Sequence, residues 1–308
     1  MTPDDLATLA KPANGNGTAG RTGSVAAGDR DDVIVFDNVH KGFGVGSKRT
    51  EPLRGVSLRV RRGERLVIIG PSGTGKSVTL RLMLGLLDPD SGTVTVEGRD
   101  LSGLDIDELG VLRKRMSMLF QSGALFDSMT VGENVAFPLR AAGERDEAKI
   151  AKTVAEKLRQ VGLPDTEEKM TSELSGGMKK RAALARSIAS RPDIILYDEP
   201  TTGLDPIMSD AIAELIIETH EKLRQECDDD PEGNRSITSI VVTHDMHVAS
   251  KVADRIVMLY DGRVVGDAPP GEYRRLGSNV LPKDAGKHDQ MIRQFVRGEA
   301  AGPIRTVT

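Results

Sequence analysis

Residues 70 to 77 read Gly-Pro-Ser-Gly-Thr-Gly-Lys-Ser, a G-x-x-x-x-G-K-[ST] spacing that suits phosphate binding. Gly70, Gly73 and Gly75 let the backbone curl so that loop N–H groups point inward at phosphate oxygens. Lys76 can reach β- and γ-phosphates, and the Ser77 hydroxyl can ligate Mg²⁺. An apolar run, Leu66-Val67-Ile68-Ile69, precedes the loop, and a helix-like run over 78–87 follows it. That strand–loop–helix setting is the context the motif requires, and the positive end of the helix adds to the field.

Further groups could complete this chemistry. Asp198 and Glu199 end the apolar run Ile194-Ile195-Leu196-Tyr197. An acidic pair at the carboxyl end of a parallel strand sits where open α/β sheets bind ligands. Asp198 would hold Mg²⁺ and Glu199 would polarise the water that attacks the γ-phosphate; alone, the Asp-Glu-Pro triplet would read as a turn. Ser175 suits the N-cap of a helix, and Gly176 and Gly177 would let a phosphate approach its bare end. Two phosphate-binding helix ends about a hundred residues apart are explained by a head-to-tail dimer, with each ATP between the loop of one copy and the second terminus of the other. His244 follows an apolar run over 237–242, where a neutral imidazole can donate to the γ-phosphate. His247 completes His-Asp-Met-His, but no cluster of further ligands supports a metal reading. Gln121 ends a short strand, where its amide can touch both Mg²⁺ and the attacking water.

The elements that must position these groups follow from pattern. Strands are expected at 33–36, 56–60, 66–69, 93–96, 116–120, 194–197, 237–242, 256–260 and 263–265. Helices are expected at 104–115, 147–161, 178–190, 207–225 and 246–252. Continuous apolar strands alternating with helices imply a parallel sheet covered on both faces, and the mainly helical stretch 131–190 interrupts that alternation as an inserted subdomain. Residues 1–31 read as a disordered tail without the apolar centre of a signal peptide. Residues 226–236 read as a solvated acidic loop.

Composition narrows the classes. The chain has 308 residues, 38% of them apolar, enough for one large α/β domain or two smaller ones. A net charge of −4 argues against a nucleic-acid partner. The single cysteine, Cys227, excludes a disulfide framework and a zinc cluster by arithmetic. No apolar run reaches spanning length, so work at a membrane would need a partner.

Taken together these residues resemble the nucleotide-binding subunit of ABC transporters over about residues 32–270. The resemblance implies an α/β P-loop NTPase fold: a central mostly parallel sheet, an antiparallel β subdomain, and a helical subdomain at about 122–190. It gives Gly70, Pro71, Ser72, Gly73, Thr74, Gly75, Lys76, Ser77 and Val78 to the phosphates, and Phe43 to the adenine. Ser175, Gly176, Gly177 and Asp205 fall to the nucleotide of a partner copy, Glu199 becomes the catalytic carboxylate, Gln121 and His244 its companions, and Ser77, Gln121 and Asp198 the Mg²⁺ set. Val78, Met178 and Gly203 depart from the usual threonine, glutamine and alanine, and none of these changes removes a catalytic group. Three stretches, FQSGALFDSMTV from Phe120, LSGGMKKRAALARSIA from Leu174 and QFVRGEAAGPI from Gln294, are similar to the ATPases of Mla/Mce-type lipid transporters. That likeness implies a homodimer at the cytoplasmic face of the inner membrane, bound to permease subunits and an Mce-type lipid carrier. It also leaves open an ATPase for a polar-solute importer or exporter, or a cell-envelope ATPase that moves no substrate. The C-terminal extension, 271–308, carries Tyr273, Phe295 and Gly302-Pro303-Ile304 and is expected to pack against the second subunit.

Overall fold

The computed structural model describes residues 31–228, 236–278, 285–299 and 301–304. The expected N-terminal tail, Asp31 apart, and positions 229–235 of the acidic loop lie outside the described residues.

The described residues begin with a long antiparallel pair, β1 (Asp32–Phe43) and β2 (Thr50–Arg61), each well beyond the runs that apolar pattern marks. β3 (Arg65–Ile69) leads into α1 (Lys76–Met83), which stops at Leu84 instead of running to 87 because Gly85 turns left-handed at φ 62°. β4 (Ser91–Val96) and β5 (Arg99–Asp100) complete a four-stranded sheet of order β2-β1-β4-β5, antiparallel throughout. Next come α2 (Ile106–Lys114), β6 (Met116–Leu119), and three helices before the following strand: α3 (Val131–Ala141), α4 (Glu147–Gln160) and α5 (Gly176–Ala189). β7 (Ile194–Asp198), α6 (Pro206–Asp228), β8 (Thr238–Thr243), α7 (Met246–Val252), β9 (Arg255–Tyr260) and β10 (Arg263–Ala268) then alternate. α8 (Pro270–Ser278) and α9 (Lys287–Arg297) close the described chain.

The second sheet has the order β10-β9-β3-β8-β7-β6; β9, β3, β8, β7 and β6 run parallel, and only the edge strand β10 is antiparallel. Its strands are apolar without a break because both faces are covered. Alternate residues go to opposite faces. Val67, Ile69, Tyr197 and Val241 join α3 to α9 residues in one core. Leu66, Ile68, Leu196 and Val242 join α1, α2 and the antiparallel sheet in the other. The carboxyl ends of β3, β7 and β8 therefore open side by side, and the three motifs that follow them meet there.

Within the C-terminal segment, the residues expected to face a second subunit divide: Phe295 is partly exposed, while Tyr273 and Ile304 turn inward. Tyr273 is fully buried, and Met291, Ile292 and Ile304 are buried with it in the first core. Gln294 acts as a clasp: Oε1 accepts from the Ile304 amide at 2.7 Å, and Nε2 donates to the Ile304 carbonyl at 3.1 Å. Tyr273 and Ile304 thus pack within their own chain, in the core that α8 and α9 complete.

Candidate nucleotide site

β3 ends at Ile69 and the loop turns at once. A Cβ on Gly75 would lie 2.5 Å from the Pro52 carbonyl oxygen, and one on Gly70 would lie 2.2 Å from that of Leu259. Glycine is required at both positions by close backbone approach as well as by positive φ (96° and 150°). Gly75 is also the N-cap of α1 and offers no side chain, so the first N–H groups of the helix stay available to an anion.

Lys76 is buried, and its Nζ donates to the carbonyls of Gly70 (2.7 Å) and Pro71 (3.0 Å). It also lies 3.7 Å from Glu199 Oε1. Burial holds its pKa below the usual value, against the pull of Glu199 and Asp198. Ser77 Oγ donates to Asp198 Oδ1 at 2.9 Å. Burial raises the pKa of Asp198, and the Ser77 hydrogen bond opposes the rise. A hydroxyl beside a carboxylate is a set of hard oxygen donors that fits Mg²⁺, which takes few protein ligands and completes its shell with water and phosphate. Among the described residues no group of three or more His, Cys, Asp and Glu stands ready for a metal.

Glu199 follows β7 in the left-handed region, φ 48°. Its amide still donates to the Val242 carbonyl at 2.9 Å, so the strand pairing continues through the turn. The carboxylate is gripped on both oxygens. Oε2 lies 2.8 Å from His244 Nδ1 and accepts from Thr202 Oγ1 at 3.2 Å, while Oε1 faces Lys76.

These groups border one cavity of about 420 Å³. Ser72, Gly73, Gly75, Lys76, Ser77 and Val78 line it together with Gln121, Glu199 and His244. Pro52 and Thr202 also line it, and sequence reading missed both. Pro52 comes from β2, a contact invisible before folding; Thr202 stands three residues after Glu199, a spacing that could have flagged it. Thr74 turns away and donates from Oγ1 to the Pro71 carbonyl at 2.9 Å. Gly70 and Pro71 serve as carbonyl acceptors for Lys76, and Asp198 stands behind Ser77.

Five other expected residues are not at the cavity of this chain. Ser175 caps α5, accepting from the Met178 amide at 3.3 Å. Gly176 faces open space, whereas a Cβ on Gly177 would meet the Met208 terminal methyl at 2.4 Å, so Gly177 lies directly under that side chain of α6. Asp205 accepts from the Met208 amide at 3.0 Å and so caps α6. Phe43 ends β1, 40% exposed, with Lys41 Nζ 5.7 Å from its ring centroid. His247 reaches Asp210 Oδ1 at 2.9 Å instead of joining His244.

The family model for the ABC transporter matches residues 53–202. The ATP-binding protein MlaF of the intermembrane phospholipid transport system of Escherichia coli is 41% identical over 249 residues, 81% of this chain and 84% of that protein. The chain belongs to the ABC transporter family. Its likeness extends to a chloroplastic protein of Arabidopsis thaliana, TRIGALACTOSYLDIACYLGLYCEROL 3, at 39% identity over 90% of this chain and 77% of that one. A dimeric ATP-binding cassette solved in a post-hydrolysis state with ADP and Pi superposes with a TM-score of 0.66 and 32% identity, covering 77% of this chain and 98% of that one. This ABC cassette binds nucleotide and hydrolyses ATP.

Proposed function

We propose that this ABC ATPase works as a homodimer on the cytoplasmic face of a membrane and drives a permease that moves phospholipid between membranes. The observation that carries the catalytic half is Glu199, held between His244 and Lys76 beside the Ser77–Asp198 pair. The names of the relatives, an intermembrane phospholipid transport ATP-binding protein among them, support the lipid half. No described helix is long and apolar enough to cross a membrane, which suits a subunit that reaches the bilayer through a partner.

The phosphates settle on the N–H groups of loop 70–75 and of the first turn of α1. Lys76 leaves the Gly70 and Pro71 carbonyls for the β- and γ-oxygens, where its charge meets a stronger acceptor. Glu199 accepts the proton of the attacking water, and His244 moves its single N–H from that carboxylate to the γ-phosphate. Mg²⁺ held by Ser77, Asp198 and Gln121 would neutralise charge on the phosphate oxygens. Phe43 offers a ring to the adenine. Ser175, Gly176 and Gly177 lie away from the cavity of their own chain, which supports a head-to-tail partner that brings this second helix terminus to the γ-phosphate, with its Asp205 nearby. The exposed pair Phe126 and Phe137, with ring centroids 4.9 Å apart, suits the seat of a permease helix.

The Glu199→Gln variant should retain ATP and lower turnover by about 10²- to 10³-fold. Phosphate release at the wild-type rate would remove Glu199 from its role. Purification from membranes should bring down a permease and an Mce-type lipid carrier; a soluble sugar- or amino-acid-binding protein in their place would overturn the lipid reading.

A further inference from the structure

The loop that carries Gln121 is held from behind by α5. Lys180, almost wholly buried, donates from Nζ to the Gln121 carbonyl. Six residues further on, about 9 Å along the helix, Arg186 donates to the carbonyls of Gly123 and Ala124, each at 2.8 Å. Its guanidinium also lies 5.8 Å from the Phe126 ring centroid. From the other side Asn134 of α3, fully buried, accepts from the Phe126 amide at 2.8 Å and donates to the Thr130 carbonyl at 2.9 Å. Gly123 and Ala124 are both left-handed, at φ 78° and 46°, so the loop has no regular pairing of its own and takes its shape from these side chains.

Packing alone does not call for lysine at position 180. A buried ammonium loses its hydration and is tolerated only where acceptors or opposite charge meet it. Burial lowers the pKa of Lys180, and the nearby charges of Glu199 and Asp198 oppose that shift. An apolar side chain would fill the same space without this cost. What only the charged group supplies is a fixed link between α5, whose first turn is the helix end capped by Ser175, and the backbone of Gln121.

We propose that Lys180 is a positioning residue for Gln121, setting the height at which the Gln121 amide meets the cavity and making it follow α5. Arg186 holds the rest of the same loop, and Lys180 is the side chain that reaches Gln121 itself. The inference rests on ATP turnover at this cavity with Gln121 taking part.

The test uses the full-length chain, with equilibrium ATP binding, kcat and KM for Mg·ATP, and thermal melting as readouts. The Lys180→Met variant should lose at least tenfold in kcat while its affinity for ATP changes less than about twofold. Lys180→Arg, which keeps a long cationic donor, should restore kcat to within about threefold of wild type. In a Gln121→Ala background, Lys180→Met should cost less than twofold more. If the methionine variant does not fold, Lys180→Gln replaces it in the same comparisons. Wild-type kcat in Lys180→Met, failure of Lys180→Arg to restore it at unchanged melting temperature, or a full further loss in the Gln121→Ala background would each overturn the proposal. Glu199→Gln run in parallel separates the two levels: if it turns over normally the catalytic reading itself fails, and if it is inactive while Lys180→Met is normal, only the positioning role does.

Discussion

Glu199 holds a backbone conformation that costs a residue with a side chain about 1–2 kcal/mol. Such strain persists where surrounding contacts over-determine it, and here His244, Thr202 and Lys76 all bear on the same carboxylate. The left-handed turn separates the tasks of two adjacent acids. Asp198 stays in the strand and faces Ser77, while Glu199 leaves it and faces the cavity. If Asp198 orders the hydroxyl that holds Mg²⁺, Asp198→Asn should raise the Mg²⁺ concentration for half-maximal turnover about tenfold or more. A magnesium titration of ATPase activity checks this, and an unshifted curve would take Asp198 out of the metal set. The identity of the two acids was legible from their place after an apolar strand. The grip of Thr202 and Lys76 on Glu199 was not, since it depends on how the chain turns after β7.

Among the elements, α1 and α5 begin differently. α1 starts at a glycine that gives its amides no side-chain partner, so an anion is the natural occupant. α5 starts at Ser175, whose hydroxyl accepts from the Met178 amide, and its second glycine is packed under Met208. This second terminus is therefore built as a stable helix end and offers itself at Gly176, which faces open space. Ser175→Ala should destabilise the chain by about 1 kcal/mol through loss of the cap. It should lower ATP-dependent dimerisation far more than that local loss predicts. Melting temperature and sedimentation with ATP in the Glu199→Gln background measure the two effects; a dimer of undiminished strength would exclude α5 from the partner's nucleotide.

At the scale of the molecule, the parallel sheet is covered on both faces, and polar groups within it must be satisfied there. His220 of α6 is buried, with Nδ1 2.9 Å from Ser239 Oγ of β8. Burial, followed by the charge of Arg65, lowers its pKa from 6.5 to about 4. The unfolded chain takes up a proton near pH 6.5, which the folded chain refuses until about pH 4. Stability from this site is therefore complete above pH 6.5 and falls as pH drops toward 4. Between pH 7 and pH 5 the wild type should lose about 2 kcal/mol more than a His220→Gln variant in urea unfolding. Equal losses would show that the imidazole is not held neutral. The same two-sided burial accounts for the C-terminal segment, where α8, α9 and Ile304 finish the first core.

The sequence by itself determined the strand–loop–helix at 66–83, the acidic end of β7, the histidine after β8 and the family, because each depends on local spacing and on runs of apolar residues. Tertiary structure decided which of these groups share a cavity. It placed Pro52 beside Gly75, pinned Gln121 to Lys180, put Gly177 under Met208 and turned Tyr273 and Ile304 inward. Those outcomes depend on contacts between residues from 10 to 59 positions apart, and no local pattern encodes them, since each requires two segments to be set against each other by the packing of the whole molecule.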